Sequence, residues 1–272
     1  MKKIILFVLF TVIIKSSYSQ LSNVVPKSLS VANAAVSDNE RWSGFANPAS
    51  LASVDKFAAG MQYENRYFLP ELSTRSVDFA LHSSIVNVGF SASYFGFSLY
   101  NEVLLGLGFA RNFSDRFSMG VQFNYLAGYF YSEQRYRGML FPQIGLTAAL
   151  TPSVVVGFST FNPFQSGIRT ETASNYIPSV FSIGTTYIFS DDLLIRLQVD
   201  KEIKTYYRLA GGIEYDVFKS FVFKAGAYNA DFFVPNLGFE TKIYRFVLNL
   251  NCELHPTLGL VNAASVRYCI GD

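Results

Sequence analysis

Leu193-Leu194-Ile195-Arg196-Leu197-Gln198-Val199-Asp200 decides how this chain reads, and Phe246-Val247-Leu248-Asn249-Leu250-Asn251-Cys252-Glu253 repeats the lesson near the C-terminus. Successive side chains of a strand point to opposite faces, so Arg196, Gln198 and Asp200 share one face while Leu193, Ile195, Leu197 and Val199 share the other. One face is wet and the other greasy. From Phe57 onward about fourteen segments follow this period-two rule, which is the strand signature. The greasy positions carry Met119, Val121, Phe123 and Tyr125 on one segment and Phe181, Ile183, Thr185 and Tyr187 on another; Gly120, Gln122, Asn124, Ser182, Gly184 and Thr186 alternate with them. A soluble sandwich or propeller also alternates, but its outer face is charged rather than lined with Phe and Leu. The fold class that follows is all-β: an antiparallel transmembrane β-barrel of about fourteen strands, apolar outward and polar inward.

Working outward along the chain, strands are expected over 57–64, 75–82, 86–94, 102–111, 117–128, 141–150, 153–160, 179–189, 193–201, 207–216, 220–228, 236–242, 245–254 and 258–268. The links alternate in length. Ser114-Asp115, Thr151-Pro152-Ser153, Ser190-Asp191-Asp192, Phe218-Lys219 and Ile243-Tyr244 are tight; 65–74, 95–101, 129–140, 161–178, 202–206 and 229–235 are longer. Short periplasmic turns and longer outer loops have this parity in bacterial outer-membrane barrels. Tyr63, Tyr94, Phe117, Tyr187, Tyr215, Phe221, Tyr228 and Tyr268 are expected to form aromatic girdles at the two membrane interfaces.

Composition agrees with a wall half turned to lipid. The chain is 50% hydrophobic, 17% aromatic and only 15% charged, against roughly 25% charged residues in an average soluble domain. A formal net charge of +2 with no basic cluster gives no reason to expect nucleic acid. Lys2 and Lys3, the apolar run Ile4 to Ile14 and the small residues Ser17 and Ser19 read as a secretory signal peptide over 1–19, too short to span a bilayer as a helix. Export to the outer membrane of a Gram-negative cell, as an integral protein in contact with outer-membrane lipid, is the resulting expectation. Cys252 and Cys269 lie on adjacent strands of the last hairpin but far apart along them, so two free thiols are expected. His82 and His255 have no ligand-spaced neighbours, so neither metal nor cofactor is expected.

Residues 20–56 lack strand alternation. They are rich in small residues (Ser30, Ala32, Ala34, Ala35, Ser37), pass through Asp38, Glu40 and Trp42, and end in Asn47-Pro48-Ala49-Ser50-Leu51-Ala52. An Asn-Pro step suits a bend where such a segment crosses to the barrel wall. Here the chain resembles the FadL-type barrels, whose N-terminal hatch folds into the lumen and ends in an Asn-Pro-Ala motif ahead of the first strand. Within that superfamily Val199-Asp200-Lys201-Glu202, Gly212-Ile213-Glu214-Tyr215 and His255-Pro256-Thr257-Leu258-Gly259 are similar to the PorV and PorQ branch of Bacteroidota. The resemblance, from about residue 28 to 268, implies a 14-stranded barrel over 57–272 with a plug over 20–56. Two features depart from it: the outer loops are short, and the chain ends Tyr268-Cys269-Ile270-Gly271-Asp272 rather than on an aromatic.

Three groups of residues could carry function. Glu64, Asp78, Arg196, Asp200, Glu214, Lys224, Glu240, Lys242 and Glu253 should face inward; mixed signs on neighbouring strands favour a paired network that fills the barrel and holds the plug over a selectivity path for solutes, since buried charge is tolerated when paired. Asn47, Pro48 and Ala49 form the plug motif. Tyr131, Arg135, Tyr136, Phe161, Phe164, Phe232 and Phe233, with Tyr129, Phe130, Arg137 and Arg169, are placed on outer loops, where aromatics and Arg mark a protein interface or extend the girdle. Enzyme signatures are weak: Ser53-Val54-Asp55-Lys56 matches S-x-x-K without its companion motifs, and His255 beside Glu253 has no Ser nucleophile near it. Gly106-Leu107-Gly108 and Gly211-Gly212 fall inside strands, where glycine marks close packing. The reading favoured is therefore a non-enzymatic barrel serving an envelope protein machine, either type IX-like secretion or outer-membrane protein assembly, by docking partner or cargo. The alternative is a FadL-like passive channel for small hydrophobic molecules with a lipid or fatty-acid ligand, an apolar cavity beneath the plug and an opening in the wall.

Overall fold

A computed structural model describes residues 24–270 except 29, 39–43, 133, 170–173, 204–206, 219 and 230–231. The signal sequence, Glu40 and Trp42 lie outside the described residues.

The strands are β1 (Phe57–Arg66), β2 (Leu69–Leu81), β3 (Asn87–Phe97), β4 (Tyr100–Ser114), β5 (Phe117–Phe130), β6 (Arg135–Thr151), β7 (Val154–Phe161), β8 (Gly167–Arg169), β9 (Ser174–Tyr176), β10 (Val180–Ser190), β11 (Leu193–Glu202), β12 (Tyr207–Phe218), β13 (Phe221–Asn229), β14 (Phe233–Ile243), β15 (Phe246–His255) and β16 (Gly259–Ile270). All but β8 and β9 join, each antiparallel to the next, in one closed barrel sealed by β1 against β16, from Phe57 opposite Ile270 to Arg66 opposite Val261. Closure leaves no edge strand whose amides would face lipid unpaired. No helix among the described residues is long and apolar enough to cross a membrane; the crossing is made by strands.

Register sets the faces. Met61, Phe79, Phe123, Ile183, Leu197, Leu237 and Leu250 are exposed on the outer surface, while the positions between them are buried Glu64, Gln122, Asn124, Arg196, Asn236 and Asn251. Tyr228, expected in a girdle, faces the lumen instead: it pairs with Ala210 and its hydroxyl donates to Glu253 Oε2 at 2.9 Å. It lies four residues from buried Lys224 on the same strand, and a two-residue period puts both on the inward face.

Strands extend further than the alternation suggests at the outer end. The 65–74 and 95–101 links shrink to turns at Tyr67-Phe68 and Ser98-Leu99, and β6 begins already at Arg135. Backbone pairing continues through aromatic-rich sequence that reads as loop, because Tyr100 with Phe130 and Tyr129 with Tyr136 stack across the strands at 5.2 Å each. The 161–178 link contains the β8–β9 hairpin, which alternation over three residues cannot reveal.

Two prolines mark where ladders stop. Partnering of β6 with β7 ends at Gln143 opposite Phe161, one residue from Pro142. Partnering of β14 with β15 ends at Asn236 opposite Glu253, beside Pro235. Proline has no N–H to offer the ladder; the outer end of the β14–β15 seam is left unpaired, whereas β8 packs on β6 beyond the end of the β6–β7 ladder.

Candidate functional site

The lumen is occupied by the described part of residues 24–56. A short turn at Val31–Asn33 packs on β12, β13 and β14, and a 3-10 helix at Pro48–Ser53 packs on β3 to β6. Asn47 caps that helix: its Oδ1 accepts from Ala49 N at 3.0 Å, and its Nδ2 donates to Val36 O and Leu146 O. Pro48 stands at the first helical position, where a missing N–H costs nothing. Asn47, Pro48 and Ala49 thus tie the segment to itself and to the β6 backbone. The approach is close enough to need glycine on the wall. A Cβ on Gly145 would overlap Asn47 Oδ1, one on Gly120 would overlap the Pro48 carbonyl, and one on Gly157 would overlap Val36 O. Ser53 Oγ only donates to Ser50 O at 2.7 Å, in the ordinary backbone-capping manner.

Charged residues meet the segment on the opposite wall. Arg196, 2% exposed, lies 3.1 Å from Glu214 Oε1 through Nε, 3.2 Å from Asp38 Oδ2 through Nη2, and donates to Thr186 Oγ1 at 3.0 Å. Glu214 also accepts from Val31 N at 3.3 Å. Asp200 accepts from Gln198 at 2.7 Å and from Arg208, whose guanidinium also donates to Ala32 O and lies 4.6 Å from the Tyr228 ring centre. Lys224 pairs with Glu240 at 2.7 Å. Glu253 pairs with Lys27, whose backbone N–H reaches Glu64 Oε2 at 3.2 Å. Burial works to lower the Lys27 pKa, but Glu253, Tyr228 and Glu64 together outweigh it and hold the ammonium above its usual range. Asp78 also faces inward, but its Oδ2 has no hydrogen-bond partner among the described residues.

Lys27, Arg66, Arg208 and Tyr228 escape sequence reading. Lys27 sits in a segment without periodicity; Arg66, Arg208 and Tyr228 share the inward parity of Glu64, Glu214 and Lys224, but Arg66 and Arg208 fall at strand ends and Tyr228 reads as a girdle residue.

Between this segment and the outer rim lies a cavity of about 760 Å³. It is above the segment, not beneath it as the channel alternative anticipated. One wall is apolar, made by Val25, Phe45, Leu72, Phe95, Phe161 and Val180; the other carries Lys27, Arg66, Asp200, Arg208 and Tyr228. The apolar wall continues into a core with Leu104, Leu126 and Phe141. Phe232, Val234, His255 and Leu258 line the cavity where the β14–β15 seam opens. His255 Nδ1 accepts from Thr257 N and Leu258 N at 3.3 and 3.2 Å, and its ring meets Phe232 and Tyr67 at 5.3 and 6.2 Å.

The outer-loop aromatics divide. Tyr131, Tyr136, Phe164, Phe232 and Phe233 are exposed, Phe164 at 75%. Arg135 is exposed and Tyr136 donates to Asn101, both within β6 rather than a loop. Phe161 corrects the expectation: as the last residue of β7 it is 6% exposed and turned inward, its ring 4.9 Å from Phe141. The β7 alternation runs one residue past the assumed strand end, so its side chain enters the lumen. The Arg169 side chain lies outside the described ones. Cys252 and Cys269 form no disulfide among the described residues.

The fold is that of the FadL-type outer-membrane barrels. The monoaromatic hydrocarbon channel CymD superposes with a TM-score of 0.65 at 12% identity, over 90% of this chain and 98% of that one. A Pseudomonas aeruginosa FadL homologue gives 0.64 at 13% identity over 92% and 96%, and the Pseudomonas putida toluene transporter TodX gives 0.57 at 10% identity over 94% and 97%. No protein-family model and no curated protein sequence matches the chain.

Proposed function

We propose that the chain is a passive outer-membrane channel for small hydrophobic molecules. The observation that carries the reading is the 760 Å³ cavity with its phenylalanine and aliphatic wall at the outer end of a barrel obstructed below by residues 24–56. Ligand sites are concave and mostly apolar with a few convergent polar groups, and here Arg208, Lys27 and Tyr228 supply those groups. The shared fold with hydrocarbon channels supports this alternative more than the docking of a secretion or assembly partner. Residues 24–56 act as the plug, held by Asn47, Pro48, Ala49 and the lumen charges. An apolar solute entering the cavity leaves sideways at the β14–β15 seam, where Pro235 interrupts the ladder.

The test is binding and uptake of a labelled monoaromatic hydrocarbon and a labelled fatty acid. Purified barrel should bind one of them, Phe95→Asp combined with Phe161→Asp should abolish binding, and Pro235→Val should slow uptake with binding kept. Binding and uptake indistinguishable between wild type and the double variant would remove the reading. The second reading, docking of an envelope partner of the PorV and PorQ kind, rests on the exposed rim aromatics Tyr131, Tyr136, Phe164 and Phe233; mild-detergent purification that brings down a stoichiometric partner would favour it.

A further inference from the structure

Residues 24–56 do not fill the lumen evenly. They press on β5, β6 and β7 so closely that only glycine fits at Gly120, Gly145 and Gly157. Across the lumen, against β13 to β16, β1 and β2, two small voids remain. One of about 30 Å³ is lined by Gly60, Gln62, Ser76, Asp78, Ser265 and Arg267. The other, of about 50 Å³, is lined by Ser30, Asp38, Glu240, Asn249, Ser265 and Arg267. Both share Ser265 and Arg267, so they meet along one column of β16. Both also adjoin the outer cavity, the first through Pro26, Lys27 and Phe45 and the second through Ser28 and Ala35.

The voids have mixed linings, polar beside apolar, and each is bordered by a residue with a stranded acceptor. Asp78 borders the first and Asn249, 5% exposed, borders the second; Asp78 Oδ2 and Asn249 Oδ1 have no protein partner among the described residues. A buried acceptor left unmade costs about 1–3 kcal/mol, and a space of more than ~10–15 Å³ with polar partners takes up water. Toward the periplasm, Asp216 and Lys242 face inward yet are exposed, and Arg267 is half-buried. These residues mark a periplasmic vestibule below the two voids.

We propose that the barrel carries a water passage distinct from the hydrophobic route, running from the outer cavity past Ser265 to the periplasmic vestibule. Its lining of hydroxyl, amide and carboxylate acceptors suits single water molecules. Hydrated ions are excluded because the voids are too small for them, and the carboxylates Asp38, Asp78 and Glu240 are offset by Lys224 and Arg267 along the same column. Nothing in this depends on whether the outer cavity takes hydrocarbons.

The experiment is osmotic shrinkage of vesicles containing the purified full-length protein, followed by stopped-flow light scattering, with a pyranine-loaded sample reading proton entry. Wild type should shrink several-fold faster than empty vesicles without faster proton entry. Ser265→Phe, which fills both voids, should return shrinkage to the empty-vesicle rate, while Ser265→Ala keeps it. Heat-modifiable migration reports whether each variant is a folded barrel, and Ser76→Leu with Asn249→Leu narrows both voids by a separate route should Ser265→Phe not fold. Wild-type shrinkage equal to empty vesicles, or a folded void-filling variant as fast as wild type, overturns the proposal. Hydrocarbon binding is read separately and is unchanged by Ser265→Phe.

Discussion

Arg196 is the residue on which most of the lumen chemistry converges. Its guanidinium is 2% exposed and serves Glu214, Asp38 and Thr186 together, so its charge is balanced by two carboxylates on different parts of the chain. Removing one partner of a buried ion pair leaves the others uncompensated, at a cost of ~3–5 kcal/mol. Arg196→Met is expected to lower the temperature at which the barrel converts to its unfolded gel position, whereas Phe164→Ala, at the exposed rim, should leave it unchanged. An Arg196→Met barrel as heat-resistant as wild type would mean that the network is not what holds Asp38 in place. Residue identity at period two showed that Arg196, Asp200, Glu214, Lys224, Glu240 and Glu253 share the inner face. It could not show which carboxylate each cation meets, because partners lie on different strands and on a segment without periodicity.

Each strand must satisfy lipid on one side and a crowded lumen on the other. Leu250 illustrates the outer requirement: it stands midway along β15, opposite Phe239 and Ala264, and is 59% exposed. A charge on the lipid face near the bilayer midplane costs about 2–4 kcal/mol, so Leu250→Arg should shift denaturant unfolding in lipid vesicles by that amount. Ala263→Ser, on the inward parity of the neighbouring strand, should shift it little; equal shifts for both would mean that the assigned faces are wrong. Strand existence and face were legible because each strand carries its own alternation. Strand ends were not: β1, β2, β4, β5 and β6 continue through Arg66, Leu69, Tyr100, Phe130 and Tyr136 into sequence that reads as loop, since stacking between neighbours helps decide where pairing stops.

At the scale of the whole molecule, barrel and inner segment are mutually dependent. Deleting residues 24–53 removes Lys27 from Glu253, Asp38 from Arg196 and the Ala32 carbonyl from Arg208 at once, and it opens the space that Gly120 and Gly145 were fitted to. The shortened barrel is expected to insert but to unfold at lower denaturant concentration than Arg196→Met, and to pass solutes that the full chain excludes; a deletion as stable as wild type would make the segment a passenger. Local order along the chain was enough to specify a closed antiparallel cylinder, its inward and outward faces and the separation of Cys252 from Cys269, because those properties follow from a two-residue period and from strand neighbours adjacent in sequence. The outer cavity, the partners of the lumen charges and the two small voids were decided only when the fold closed. Each of them arises where the aperiodic segment meets strands far away in sequence, and contact at that distance is set by the shape of the space left inside the barrel.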